Sequence, residues 1–226
     1  MSLDDELKKC TEEAFTAPDE PVYHYTNEKN YDEILRCEYL NLNSHLYLNS
    51  KDKTNQELCI SVNLIIDALK NNNLEHLVDN FERFITRGIV YYTVSFCCSR
   101  SIFCAKKYGN YHFEFIPELF KHFQASHQST LFSKVEYNID NQNKIITKIF
   151  NIYNKRNNQD NEPIVTLFTW LAVLIPLFKG NEHKYDNECR VIQAEIFTPN
   201  SGKLFTPIVT KKIPFKATDI LKVYRE

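Results

Sequence analysis

Residues 89–98, IVYYTVSFCC, constrain the fold more than any other part of the chain. Apart from one serine, every residue in the run is β-branched, aromatic or a cysteine. A strand with one face in water alternates polar and apolar residues, and this run does not. It therefore predicts a strand buried on both faces at the centre of a sheet, with covering layers above and below. A chain of 226 residues with 43% hydrophobic content can bury such a core within one domain.

Around that strand the hydrophobic period switches between helix and strand. Residues 3–15, apolar at Leu3, Leu7, Cys10 and Ala14, read as a helix that ends before Pro18. Residues 21–26 read as a strand, and Asn27 is a suitable N-cap for a helix over 28–37 whose Tyr31, Ile34 and Leu35 share a face. Short extended pieces at 39–42 and 45–48 and a polar loop precede two helices within 58–85, separated at Asn71-Asn72-Asn73. A short helix at 101–107 ends at Gly109, 111–116 alternates as a strand, and Pro117 suits the first turn of a helix over 117–126. A strand near 131–138 and a helix near 140–156 follow.

Residues 164–178 form the longest apolar run. The run contains Pro176 and falls short of the roughly 20 residues that cross a bilayer. It reads as a buried helix. Extended segments at 187–198 and 204–213 flank Pro199-Asn200-Ser201-Gly202, a hairpin-like turn signal, and 216–224 reads as a closing helix. Strands in runs rather than in strict alternation with helices indicate an α+β fold rather than a doubly wound parallel sheet.

Several functions are disfavoured by composition. Four glycines, at 88, 109, 180 and 202, assemble neither G-x-G-x-x-G nor G-x-x-x-x-G-K. The 27 basic and 29 acidic residues nearly cancel, so net charge calls for neither a nucleic-acid backbone nor an anionic membrane as the main partner. Seven cysteines without a C-x-x-C pair read as free thiols in a reducing compartment. The acidic, amphipathic start MSLDDELKKCTEEAF is unlike a secretory signal. A cytoplasmic protein, or an effector delivered into a host cytosol, is expected.

Three segments carry candidate chemistry. In an extended His24-Tyr25-Thr26, His24 and Thr26 share one face and Tyr25 takes the other; a strand histidine bonded to a backbone carbonyl has the same sequence. On a strand through 183–192, Asp186, Glu188 and Arg190 alternate onto one face, which lines a cleft or meets solvent as ion pairs. Residues 93–101 place hydroxyls, Ser95 among them, near the end of the central strand, with Tyr108 and Tyr111 close behind. The cysteines at 97, 98, 104 and 189, with His112 or His183, leave a thiol hydrolase open as a further reading.

In order along the chain, VYHYT (22–26), DEIL (32–35), TNQEL (54–58), VSFCCS (94–99), KKYGNYHFEF (106–115) and DNECRVI (186–192) resemble a family widespread in bacteria. That family is known as a domain of unknown function with HYT, SFS and E-x-E-x-R motifs, and looks like a divergent ADP-ribosyltransferase. The resemblance implies a split, mostly antiparallel sheet with added helices that clamps NAD. The resemblance spans roughly residues 21–196, so a single such domain is expected over 21–226, with helical insertions at about 58–86 and 140–178, after the N-terminal helix that periodicity places within 1–20.

It further implies that His24, beside Tyr25 and Thr26, holds the adenine-side ribose, that Ser95 and Arg190 contact the dinucleotide, and that Tyr108 or Tyr111 packs on the nicotinamide. Glu188 becomes the catalytic acid, bonding the 2′-hydroxyl as an oxocarbenium-like charge develops. Arg190 holds it ionised or contacts the diphosphate. The expected partners are NAD and a protein or nucleic-acid acceptor, without a metal or a membrane; a non-catalytic NAD or ADP-ribose sensor is the alternative.

Overall fold

A computed structural model describes residues 2–45, 53–87, 89–127, 130–160, 164–196 and 210–225. In chain order the elements are α1 (Leu3–Ala14), β1 (Val22–Thr26), α2 (Glu28–Cys37), β2 (Tyr39–His45), α3 (Lys53–Asn71), α4 (Val78–Arg87), β3 (Ile89–Cys97), α5 (Ile102–Tyr108), β4 (Tyr111–Phe115), α6 (Pro117–Ser126), β5 (Thr130–Lys134), α7 (Ile139–Asp160), α8 (Ile164–Leu174), β6 (Glu188–Ile196), β7 (Thr210–Pro214) and β8 (Ile220–Arg225). Local chemistry explains many boundaries. Ser2 and Asp5 cap α1 reciprocally, the Asn27 side chain accepts the Asn30 N–H at the start of α2, and Pro117 opens α6.

The fold is α+β, and every strand pair is antiparallel. The order β5-β6-β3-β1-β4-β8 makes β3 central, as its composition requires, while β2 joins β3 to β7. One edge of β3 is paired with β6 from Ile89↔Ile196 to Cys97↔Glu188. The other edge is shared: β2 reaches it up to Thr93↔Asn43, and β1 touches it only at Cys97↔Tyr23. Between Thr93 and Cys97 the sheet therefore forks into two arms, one continuing through β1, β4 and β8, the other through β2 and β7.

Both faces are covered. One core joins Leu3 and Leu7 of α1, Val62 and Ile65 of α3, Phe81 of α4, Ile146 and Phe150 of α7 and Leu167 and Leu171 of α8 to Tyr91 and Ile192 of the sheet. Tyr91 donates its hydroxyl to the Ala172 carbonyl at 2.9 Å. The other core gathers Val22, Leu42, Tyr92, Val94, Phe96, Phe113, Phe120 and Val191 on the opposite face. At ~1.5–3 kcal/mol for each large side chain removed from water, these layers are the main source of stability. The expected N-terminal helix is α1, Leu3–Ala14, and it belongs to the same core as α3, α4, α7 and α8, which together form one cover for one face of the sheet. No described helix is long and apolar enough to cross a membrane.

Five expectations are corrected. Residues 216–224 form a short 3-10 turn, Ala217–Asp219, and then β8, because that segment adds to the free edge of β4 and satisfies its backbone there. The segments 187–198 and 204–213 do not make a hairpin with each other: β6 lies between β3 and β5, and β7 pairs with β2. The intervening 197–209 lies outside the described residues. Helix α3 starts at Lys53, inside the expected polar loop. Leu35 does not share the covered face of α2 and is 43% exposed. Of the extended pieces at 39–42 and 45–48, the first and His45 belong to one strand, β2, and 46–52 lie outside the described residues.

Candidate functional site

The fork opens a cleft of about 590 Å³, a size typical of small-molecule sites, which span about 300–1,000 Å³. Its walls come from β1, α2, β2, β3, Tyr108, the segment around Lys179 and the start of β6. In β3, which is otherwise buried along its length, Ser95 is the single exposed residue, and it sits at the fork. Its carbonyl accepts a hydrogen bond from His24 Nδ1 at 3.1 Å. A carbonyl only accepts, so Nδ1 carries the proton. Burial pushes the imidazole pKa down, which keeps the ring neutral at pH 7 and leaves Nε2 as an acceptor.

Register places His24 and Glu188 on opposite faces. Tyr23, Cys97 and Glu188 are aligned across three strands and share a face, so His24 takes the other, beside Phe96 at 5.6 Å between ring centroids. Both side chains nevertheless line the cleft, because the cleft passes through the fork.

The second wall is ionic. Glu188 is 5% exposed; its Oε1 accepts from Arg190 Nε at 2.6 Å and its Oε2 lies 2.7 Å from Lys179 Nζ. Arg190 also donates Nη1–H to the Pro176 carbonyl at 2.7 Å, and Glu188 donates its backbone N–H to the Tyr137 hydroxyl at 2.9 Å. Asp186, 3% exposed, accepts from Lys107 at 2.8 Å and from the Tyr108 hydroxyl at 3.0 Å, with Lys179 Nζ 4.0 Å away. Two carboxylates thus meet three cations within one cluster, a surplus of positive charge that suits an anionic ligand.

Burial resists ionisation of Glu188, but Arg190 and Lys179 outweigh it and draw its pKa from 4.5 down to about 2. A depressed carboxylate contributes stability above its unfolded pKa and loses it as pH falls through the folded one. About 3 kcal/mol is therefore expected to disappear between about pH 4.5 and pH 2. Urea melts across that window check the sign: stability that stays level, or rises with acid, contradicts the ion pairing.

A search against protein-family models, curated proteins and solved structures gave no match.

Of the residues singled out in the sequence, His24, Tyr25, Thr26, Ser95, Tyr108, Glu188 and Arg190 line the cleft. Tyr25 and Thr26 are buried there, and the Tyr25 hydroxyl accepts the Ser101 N–H at 2.8 Å, a bond that ties β1 to the start of α5. Tyr111 does not line the cleft; its hydroxyl donates to Glu28 at 2.9 Å and its ring lies 4.7 Å from Tyr31. Asp186 reaches the site by a different route from the one expected. Residues Asn181–Asp186 form a 3-10 turn, Asn187 turns the chain at φ 42°, and the strand begins only at Glu188.

Lys107 and Lys179 were not singled out. Lys179 has a faint signature, a lone lysine at the end of an apolar run, and is held by backbone hydrogen bonds to Glu136 and from the Gln142 side chain. The thiol arrangement fits a hydrolase poorly. Burial raises the Cys97 and Cys189 thiols, His112 is stacked on Tyr224 at 4.5 Å with the tilted Tyr25 ring at 4.8 Å, and His183 lies against Glu182 and Asp186. A hydrogen bond from Cys189 lowers the Cys98 thiol, a local effect within that pair.

Proposed function

We propose that the cleft binds NAD and that the chain is an ADP-ribosyltransferase of the split-sheet type, acting on a macromolecular acceptor. The observation that carries this reading is the convergence of a neutral His24 and an ionised Glu188 on one cleft at the fork of the sheet. His24 Nε2 is an acceptor suited to a ribose hydroxyl. Glu188 keeps a lone pair on each oxygen beyond its ion pairs and accepts the 2′-hydroxyl of the nicotinamide ribose. As the C1′–N bond breaks, nicotinamide leaves with the electron pair, the carboxylate offsets the oxocarbenium charge, and the acceptor adds to C1′ while losing a proton. Arg190 and Lys179 hold Glu188 ionised, and the surplus cation in the cluster favours the diphosphate.

The same ion pairs favour a second reading, a non-catalytic NAD or ADP-ribose sensor. Cations on both carboxylate oxygens weaken the negative field that an oxocarbenium needs, while leaving the cleft well suited to an anion. Thermal denaturation with NAD and incubation of the protein with labelled NAD and cell lysate separate the two. The transferase gives stabilisation and labelled product; the sensor gives stabilisation alone. Stabilisation is expected to reach about 2.7 kcal/mol when NAD is at about 100 times its Kd, and to fall in His24→Ala. The absence of both stabilisation and label would remove both readings.

A further inference from the structure

On α5 and the 3-10 turn before β6, whose Tyr108 and Asp186 line the cleft, Phe103, Tyr108 and Tyr185 are 55%, 42% and 74% exposed, the only Phe, Tyr or Trp side chains so open to solvent among the described residues. Ile102 beside them is 70% exposed. All four lie on two short segments that are docked on each other. Lys107 and the Tyr108 hydroxyl of α5 bond the Asp186 carboxylate at 2.8 and 3.0 Å, and the Cys104 thiol lies 3.9 Å from the Asp186 carbonyl. Through Tyr108 and Asp186 these two segments form a rim of the cleft.

Basic side chains interleave with these rings. Residues 99–109 carry Arg100, Lys106 and Lys107 and no acid, although the chain as a whole has a net charge of −2. Lys184 Nζ sits 5.3 Å from the Tyr185 ring centroid, and Lys107 Nζ 5.9 Å from that of Phe103. Lys107 is engaged with Asp186, whereas Lys106 and Lys184 are exposed.

We infer that this rim binds a single-stranded nucleic acid and presents it to the cleft as the acceptor. Unstacked bases offer flat π faces to Phe103 and Tyr185, and phosphates offer charge to Lys106 and Lys184. A duplex hides its base faces, and an acidic peptide meets the lysines but offers a flat π face only where it carries an aromatic residue, whereas every unpaired base offers one. The near-neutral chain does not contradict this, because the patch is local and spans only a few nucleotides; binding is therefore weak and salt-sensitive. The acceptor role rests on the transferase reading, and the binding does not. In the transfer, a base nitrogen bonds to C1′ of NAD as nicotinamide departs with the electron pair, and the proton of that nitrogen passes to solvent.

Fluorescence anisotropy with labelled single strands of about 12 nucleotides, DNA and RNA, against a duplex of the same length and an acidic peptide, tests the rim. Single strands are expected to bind best, more weakly at about 200 mM than at about 50 mM salt. The double variant Phe103→Ala/Tyr185→Ala is expected to weaken binding about tenfold, and Lys106→Glu/Lys184→Glu to weaken it and flatten its salt dependence. Both variants change exposed side chains, and an unchanged melting temperature verifies that they fold. Absence of single-strand binding, equal binding by either variant, or preference for duplex or acidic peptide overturns the proposal. An absent NAD-induced thermal shift in the unaltered chain sinks the transferase reading without touching the anisotropy result.

Discussion

Glu188→Gln is expected to lower ADP-ribosyl transfer by about 10²–10³-fold, the scale of losing one preorganised group that meets developing charge. It is also expected to destabilise the fold by about 3–5 kcal/mol, because Arg190 and Lys179 lose the buried charge between them. The two effects separate in the double variant Lys179→Met/Glu188→Gln. Removing the second charge regains a good part of the stability, since an apolar side chain of similar size suits a position 5% exposed, while transfer stays lost. Urea melts and labelled-NAD incubation read the two quantities on the same preparations. A double variant that recovers transfer would show that Glu188 does not act in the chemistry.

Gly109→Ala is expected to destabilise the chain by about 4 kcal/mol. At φ 131° and ψ 154° the residue occupies a region that is essentially open to glycine alone. A Cβ there would also stand 2.2 Å from the Thr26 carbonyl oxygen, a backbone atom at the end of β1. Relief requires the turn between α5 and β4 to part from β1, which shifts a wall of the cleft, so weaker NAD stabilisation is expected as well. Gly180→Ala is the control. Its Cβ meets the carboxylate end of Glu182, an exposed and flexible side chain that can swing away, and little change is expected. Guanidinium melts that rank the two substitutions equally would contradict the close approach at Gly109.

Much of the helical layer was readable because its signals are local. Asn27 caps α2, Pro117 opens α6, and the asparagines at 71–73 interrupt a helical period, each acting within one turn of its own position. The last segment was misread because Ile220, Val223 and Tyr224 are strand formers in a stretch short enough to read either way, and only the open edge of β4 decides it. The acidic segment was half readable. Alternation places Glu188 and Arg190 on one face, but the left-handed turn at Asn187 takes Asp186 off the strand.

The sequence by itself determined the central strand, since a run of β-branched, aromatic and cysteine side chains with a single serine is stable only when both faces are covered. It also determined the residue types available for chemistry. The tertiary structure alone decided the fork, because which of β1 and β2 occupies each part of the second edge of β3 depends on pairings between residues about 50–75 positions apart. It alone decided that Lys179 faces Glu188: the charge of a lysine is visible in the chain, but the loss of solvent that makes the ion pair strong arises only when the helices close over the sheet.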